Sequence, residues 1–567
     1  PLARHAIAAL APIGQRIDVR QRLAALQLAR GGPVLPLVRP LLTADESALV
    51  PGAAGHGLGR VYEAAGEEAL GDDPALAAQL FAAAAGAGRT TAARRALATA
   101  LSGDLDRASR LADQALAAGS ADQRSEAAYV AAAALTHRGQ TAQAVALYPW
   151  CRSTAATGFA TVGLVGVGRL PSSEPEPGAE PPTALSATAA LMARAMVHSV
   201  TGSPTAALSA LVQASTLIEP AGATVLLPDS PAALGATLAM HCAELDAAES
   251  LLVRAIRAGT GGVLLTDRHR LLLAWVAMLR GRAVPAPDTT RPGRDLLLGT
   301  ALRVGLIRRS SDPVGLRSIW PDACQALIGQ PVDLFNLLPL GELVVAAARL
   351  GEQHRVAGHL AEADRLLDDL GRPPLWTGPL LWSRLHAAIL AEDLAAAERD
   401  AAALVGMRGF SPYAAAAADA ATAWLDVLTD RTDPEAVMAA ARALAALGLT
   451  WDGTRLAGQA AIRTSDRKAM TLLLDCARAL QERVAGPGEP ARATGGDQTL
   501  SDREREVAAL VLAGLTYKQV AERLYISAKT VEHHMARIRQ RLGCTDRQEL
   551  LTQLRALIGD AVEGGPR

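Results

Sequence analysis

Lysine is almost missing from this chain: among 56 Lys and Arg residues, only Lys468, Lys518 and Lys529 are lysines. A Walker A loop needs a lysine to reach nucleotide phosphates. None precedes position 468, so these 567 residues contain no standard P-loop. Aromatic residues make up only 3%. Cys151, Cys242, Cys324, Cys476 and Cys544 are scattered without paired spacing. That excludes a disulfide framework, and a reducing cytoplasm is the expected setting. No apolar run reaches the roughly 18 residues of a membrane-spanning helix. A Gly-x-Ser-x-Gly elbow, a His-Glu-x-x-His motif and a redox Cys pair are also absent. Enzymatic activity is therefore unsupported, and no catalytic, cofactor or metal residue is assigned. The neighbours His533 and His534 diverge by about 100° on a helix and do not readily share one ion.

What is present is alanine and leucine, in a chain that is 50% hydrophobic. This is the composition of close-packed helices with small residues at their crossings, and 567 residues exceed a single core. Gly103-Asp104-Leu105-Asp106-Arg107-Ala108 and Gly139-Gln140-Thr141-Ala142-Gln143-Ala144 share a phrasing. Leu245-Asp246-Ala247-Ala248-Glu249 and Glu392-Asp393-Leu394-Ala395-Ala396-Ala397 echo it. The first two lie 36 residues apart, near the roughly 34 of a tetratricopeptide unit. The region resembles degenerate tetratricopeptide helices, although the other spacings are irregular and the aromatic positions are mostly missing. Such arrays usually form a curved surface for a protein, peptide or small effector; the bland reading is a spacer or dimerisation body. Trp376 and Trp382, or Arg308 and Arg309, are candidates to line a pocket, and are equally well core or solvated surface.

Breaks fall at 171–182, rich in Pro and Glu, at 283–293, with three prolines, and at 486–499, rich in Gly and Pro. The last reads as a flexible tether between independently folding parts. The expected division is 1–56, 57–485 as the helical array, 486–499 as linker, and 500–567.

The C-terminal segment carries the most specific pattern. Ser501 with Glu504 forms a capping box, so a helix starts near Asp502; Gly514 suits its end. Thr516 with Gln519 opens a short second helix, and Ser527 caps a third after a turn at Tyr525-Ile526. On the third helix Val531, Met535, Ile538 and Leu542 fall in one arc, the buried face. Lys529, His533, Ala536, Arg537 and Gln540 lie opposite, flanked by Thr530 and Arg541 on one side and by Glu532 and Arg539 on the other. A small residue amid donors and cations lets a helix approach base edges, while outer cations and hydroxyls reach phosphates. The arginines alone would also suit an ordinary solvated face. Asp546 with Glu549 starts a fourth helix bearing Leu550, Leu551, Leu554, Leu557 and Ile558.

These caps, Gly514, the Ile526-to-Val531 run and the Leu542-Gly543 end resemble the LuxR-type helix-turn-helix, over about residues 498 to 560. The resemblance implies an all-α fold, a tetratricopeptide-like helical-repeat array followed by a four-helix LuxR-type domain. It implies a sequence-specific, double-stranded-DNA-binding transcription regulator. Lys529, Glu532, His533, Ala536, Arg537 and Gln540 would face the bases, and Lys518, Thr530 and Arg541 the phosphates. Many relatives carry Lys where Glu532 stands; a carboxylate there instead suits a cytosine amino group, so the target sequence is not inherited. The fourth helix would form a homodimer contact. Large regulators of this type often carry an ATP-binding module before their repeats. Pro1-Leu2-Ala3-Arg4-His5, with Arg16, Arg20 and Arg22-Leu23, resembles the winged-helix end of such a module. Residues 1–56 are accordingly expected to be a winged-helix remnant, in a fragment or in a relative that lost its ATPase.

Charge limits the reach of the domain. Residues 500–567 carry 11 Lys and Arg against 9 Asp and Glu, a net of +2, while the whole chain is −1. Residues 528–543 alone carry four cations and one anion. Contact with DNA is expected to be local and to need two copies. Two other readings stay open: a protein-binding scaffold with a secondary DNA module, and a sigma-factor-like role. The latter lacks the aromatic, basic promoter-melting segment.

Overall fold

The computed structural model describes residues 13–42, 57–171, 183–222, 224–282, 284–287, 293–310, 312–485, 502–512, 515–524, 528–542 and 547–559. The described residues form 28 α-helices joined by turns and short 3-10 segments, with no strand. Two compact units divide the chain, Pro1–Val484 and Ala485–Arg567. Among the described residues no helix is long and apolar enough to cross a membrane. Of the three sequence breaks, 172–182 and 486–499 lie outside the described residues, as does most of 283–293. Within 1–56, the described part is helix Ile13–Ala29, a short helix Leu35–Val38 and the 3-10 turn Arg39–Leu41.

The helices of the first unit start where the sequence can satisfy their open N–H groups. Asp73, Asp104, Ser120, Ser230, Asp312, Asp393, Ser411 and Asp433 each accept a backbone N–H of the first turn. At Ser120 the bond is reciprocal, with Gln123 returning its side chain to the cap backbone at 3.0 Å. The four similar phrases turn out to be one turn. Gly103, Gly139, Ala243 and Glu392 are all left-handed, at φ 97°, 80°, 59° and 56°, two residues before helices starting at Leu105, Thr141, Leu245 and Leu394. Ala and Glu hold a conformation that costs a non-glycine residue about 1 kcal/mol, so tertiary packing imposes the turn there.

Small residues set the helix spacing. A Cβ on Gly158 would lie 2.6 Å from the Ala189 backbone, and one on Gly453 only 2.4 Å from the Ala441 carbonyl oxygen. The chain winds back on itself, so segments far apart in sequence meet. Thr141 Oγ1 donates to Asp333 Oδ2 at 2.6 Å, and Trp376 Nε1 to Ser199 Oγ at 3.0 Å. Two of the chain's helices lie inside this unit. Every residue of Pro231–His241 is buried, as is nearly all of Leu337–Leu350. One continuous core runs from Ala93 to Leu473, and a smaller one joins Ala24, Val34, Val61, Leu80 and Phe81.

Within this interior lies a buried ionic cluster. Arg268 bridges Asp229 at 3.0 Å and Asp295 at 2.6 Å. Arg294 bridges Asp229 at 3.1 Å and Asp333 at 2.7 Å, and donates to Thr141 Oγ1 at 2.9 Å. Its guanidinium lies 4.7 Å from the centre of the Phe335 ring. Burial pushes the Asp333 carboxyl up, against the pull of Arg294. His269 shares a 2.7 Å hydrogen bond with Ser230 Oγ, the cap of the buried helix. The cluster thus joins five separate stretches of chain.

Candidate functional site

The second unit is built from helices Asp502–Leu512, Tyr517–Leu524, Ala528–Leu542 and Arg547–Gly559. Its core is Val507, Ala508 and Val511 from the first, Val520 and Ala521 from the second, Val531, Met535 and Ile538 from the third, and Leu550 and Leu554 from the fourth. The Thr516–Gln519 capping box is formed: Gln519 Oε1 accepts the Thr516 N–H at 2.9 Å, and Thr516 Oγ1 accepts the Gln519 N–H at 3.4 Å. Glu504, read from sequence as half of a capping box, is buried. Its expected partner Ser501 lies outside the described residues, with Gly514, Tyr525, Ile526, Ser527 and Asp546.

The described side chains of the third helix divide into buried and exposed. Val531, Met535 and Ile538 are buried and Leu542 partly so, whereas Glu532, Ala536 and Arg539 are exposed. Lys518 is exposed on the second helix. The side chains of Lys529, Thr530, His533, Arg537, Gln540 and Arg541 lie outside the described set, although the backbone places these residues on the same helix. On the fourth helix, Leu550 and Leu554 are taken up by the domain's own core and Leu551 is half-buried. The side chains of Leu557 and Ile558, the rest of its apolar surface, lie outside the described set.

Of the pocket candidates in the first unit, three converge and one does not. Arg308, Arg309 and Trp382 line a cavity of about 90 Å³, whereas Trp376 is core, bonded to Ser199 and meeting His241 edge-on. Arg308 Nε and Arg309 Nη1 clasp the two oxygens of Glu342 at 2.6 and 3.0 Å. Facing them are Trp451, Asp452 and Arg455. The guanidiniums of Arg308, Arg309 and Arg455 stand 5.0, 5.0 and 5.5 Å from the centre of the Trp451 ring. Burial opposes ionisation of Glu342, but the two arginines outweigh it and hold its carboxyl at about 2. Sequence reasoning missed Glu342, Trp451, Asp452 and Arg455. The only hint is the crowding of Trp451-Asp452 and Arg455 on one helix turn, which looks like a solvated face.

Residues 498–554 match the family model described as bacterial regulatory proteins, luxR family. Over 68 residues the chain is 37% identical to a Mycobacterium tuberculosis protein named as an HTH-type transcriptional regulator, covering 12% of this chain and 8% of that one. It is 37% identical over 73 residues to the oxygen regulatory protein NreC of Staphylococcus carnosus, 13% of this chain and 34% of that protein. The NreC of Staphylococcus aureus is 38% identical over 63 residues, 11% and 29% of the two chains. The chain thus covers about a third or less of the length of each of these relatives.

Proposed function

We propose that this LuxR-family helix-turn-helix domain makes the chain a sequence-specific, DNA-binding transcription regulator. Helix Ala528–Leu542 enters the major groove. The observation that carries the reading is the split of that helix, with Val531, Met535 and Ile538 buried and Glu532, Ala536 and Arg539 exposed. A methyl-sized side chain at Ala536 lets the backbone approach the base edges, and the surrounding cations meet phosphates. Lys529, Glu532, His533, Ala536, Arg537 and Gln540 are assigned to the base side, and Lys518, Thr530 and Arg541 to the phosphate side. A net charge of +2 over 500–567 is small for one domain acting alone, so two copies are proposed to bind a symmetric site. The helical unit is proposed to sense a signal and pass it to this output.

Genome-wide mapping of bound sites supplies the operator and its symmetry, and titrations on that operator test the assignments. Lys529→Ala should weaken binding to all sequences and lower the salt slope by about one; an unchanged slope removes Lys529 from the phosphate side. His533→Ala should shift base preference more than overall affinity. Equal loss on every sequence refutes a base-reading role.

A further inference from the structure

The cavity beside Trp451 is charged in a way that its own residues do not resolve. Three guanidiniums, Arg308, Arg309 and Arg455, face two carboxylates, Glu342 and Asp452. Arg308 and Arg309 share Glu342, while Arg455 Nη1 and Arg309 Nε are buried without an acceptor. On the same wall His241 is only 3% exposed, and neither ring nitrogen has a hydrogen-bond partner. A buried donor without a partner typically costs about 1–3 kcal/mol, so such a grouping is expensive to keep for packing alone. The remaining wall is aromatic and apolar, with Trp275, Trp382 and Tyr413. Leu279, Ser383 and Trp451 keep partial solvent exposure and form a rim.

We propose that this cavity is a binding site for a small monocarboxylate bearing a flat, unsaturated body, and that it is the input site of the regulator; this rests on the sensing role proposed above. The carboxylate balances the excess of guanidiniums over carboxylates in the cavity wall, and the flat body lies among the indole and phenol rings. A single negative charge matches the one surplus guanidinium. A phosphate dianion would overshoot and leave a buried negative charge, which is unfavourable. The imidazole of His241 stays neutral in this wall, held at about 4 by burial.

The test uses the full chain with benzoate as probe and benzamide, its neutral isostere, as control, read by isothermal titration calorimetry. Saturable benzoate binding is expected, at least tenfold tighter than benzamide. Arg455→Gln should lower benzoate affinity at least tenfold. Absence of saturable benzoate binding, equal binding of benzamide, or an unaffected Arg455→Gln variant each overturns the site. If that variant fails to fold, the benzoate–benzamide comparison on the native chain still decides. Operator occupancy is then measured with and without benzoate. Binding without any change in occupancy sinks the input role while leaving the site. Normal operator binding by a chain that ignores benzoate sinks the site and leaves the DNA-binding reading intact.

Discussion

Replacing Arg294 by methionine removes one of two cations from a buried cluster holding three carboxylates while keeping most of the side-chain volume. The lost bonds are those to Asp229, Asp333 and Thr141 at 3.1, 2.7 and 2.9 Å. Removing one partner of a buried pair generally costs about 3–5 kcal/mol. The cluster itself sets a ceiling, because Asp333 can escape by taking a proton. Neutralising a carboxyl of ordinary pKa at pH 7 costs about 4 kcal/mol, from roughly 3 units at about 1.4 kcal/mol each. The expected loss is thus about 3–4 kcal/mol at pH 7. It should shrink by about 1.4 kcal/mol per unit as pH falls, since protonation becomes cheaper. Urea unfolding followed by tryptophan fluorescence at pH 7 and pH 5 measures both. Adding Asp333→Asn should recover most of the loss. A destabilisation below about 1 kcal/mol, or the same value at both pH values, would refute the argument that charge balance holds this part of the interior.

Burial is the first cause holding His137, His241 and His269 at about 4. Their folded pKa values lie below the unfolded value of about 6.5, so the stability they confer is present above that pH and lost as pH falls toward 4. At pH 5 each should forfeit about 2 kcal/mol. His241→Phe should therefore flatten the fall of melting temperature between pH 7 and 5, and an unchanged slope would remove His241 from that account. Gly293 has φ 98°, and a Cβ there would sit 2.7 Å from Arg138 Cα, just before the helix that carries Arg294. Gly293→Ala should cost clearly more than Gly351→Ala. The latter has φ 73° with nothing within 4 Å, so only the left-handed term of about 1 kcal/mol applies. Equal losses in thermal denaturation would show that the Arg138 contact yields freely.

Features carried by neighbours in sequence were readable before the fold. The Thr516–Gln519 cap and the buried Val531, Met535 and Ile538 follow from local hydrogen bonding and helical period alone. The turn at Gly103 and Gly139 was visible because glycine marks it. At Ala243 and Glu392 the same turn is held by packing, so only the following Leu-Asp or Asp-Leu phrase gave it away. Trp376 and Trp382, six positions apart on one helix, had equal claims to a pocket. Which one meets the cavity depends on Ser199, from far along the chain. The ionic cluster had no local signature, since Thr141, Asp229, Arg268, Arg294 and Asp333 become neighbours only when helices far apart in sequence pack together. Helical period places each of these residues on a helix but cannot pair residues so far apart in sequence.

The two buried polar sites of the helical unit have surplus charges of opposite sign, and that difference separates their roles. Around Asp229 three carboxyls face two guanidiniums, and the adjoining space is about 10 Å³, roughly enough for a single water. A surplus carboxyl can discharge itself by binding a proton, and Asp333 is already pushed up by burial. Arg268 Nη2, Arg294 Nε and Asp333 Oδ1 are buried there without a partner, but the adjoining space has no room for a ligand. Around Trp451 the surplus is a guanidinium. Burial, followed by the nearby Arg308, lowers Arg455 only to about 10, so at pH 7 it stays charged. No internal proton transfer relieves it, and the cavity beside it is about 90 Å³. Here the balancing charge has to come from outside the chain. The same reasoning gives a solution test: at constant ionic strength, exchanging chloride for benzoate should raise the melting temperature of the native protein but not that of Arg455→Gln. An equal rise in both would mean that the anion acts elsewhere on the molecule.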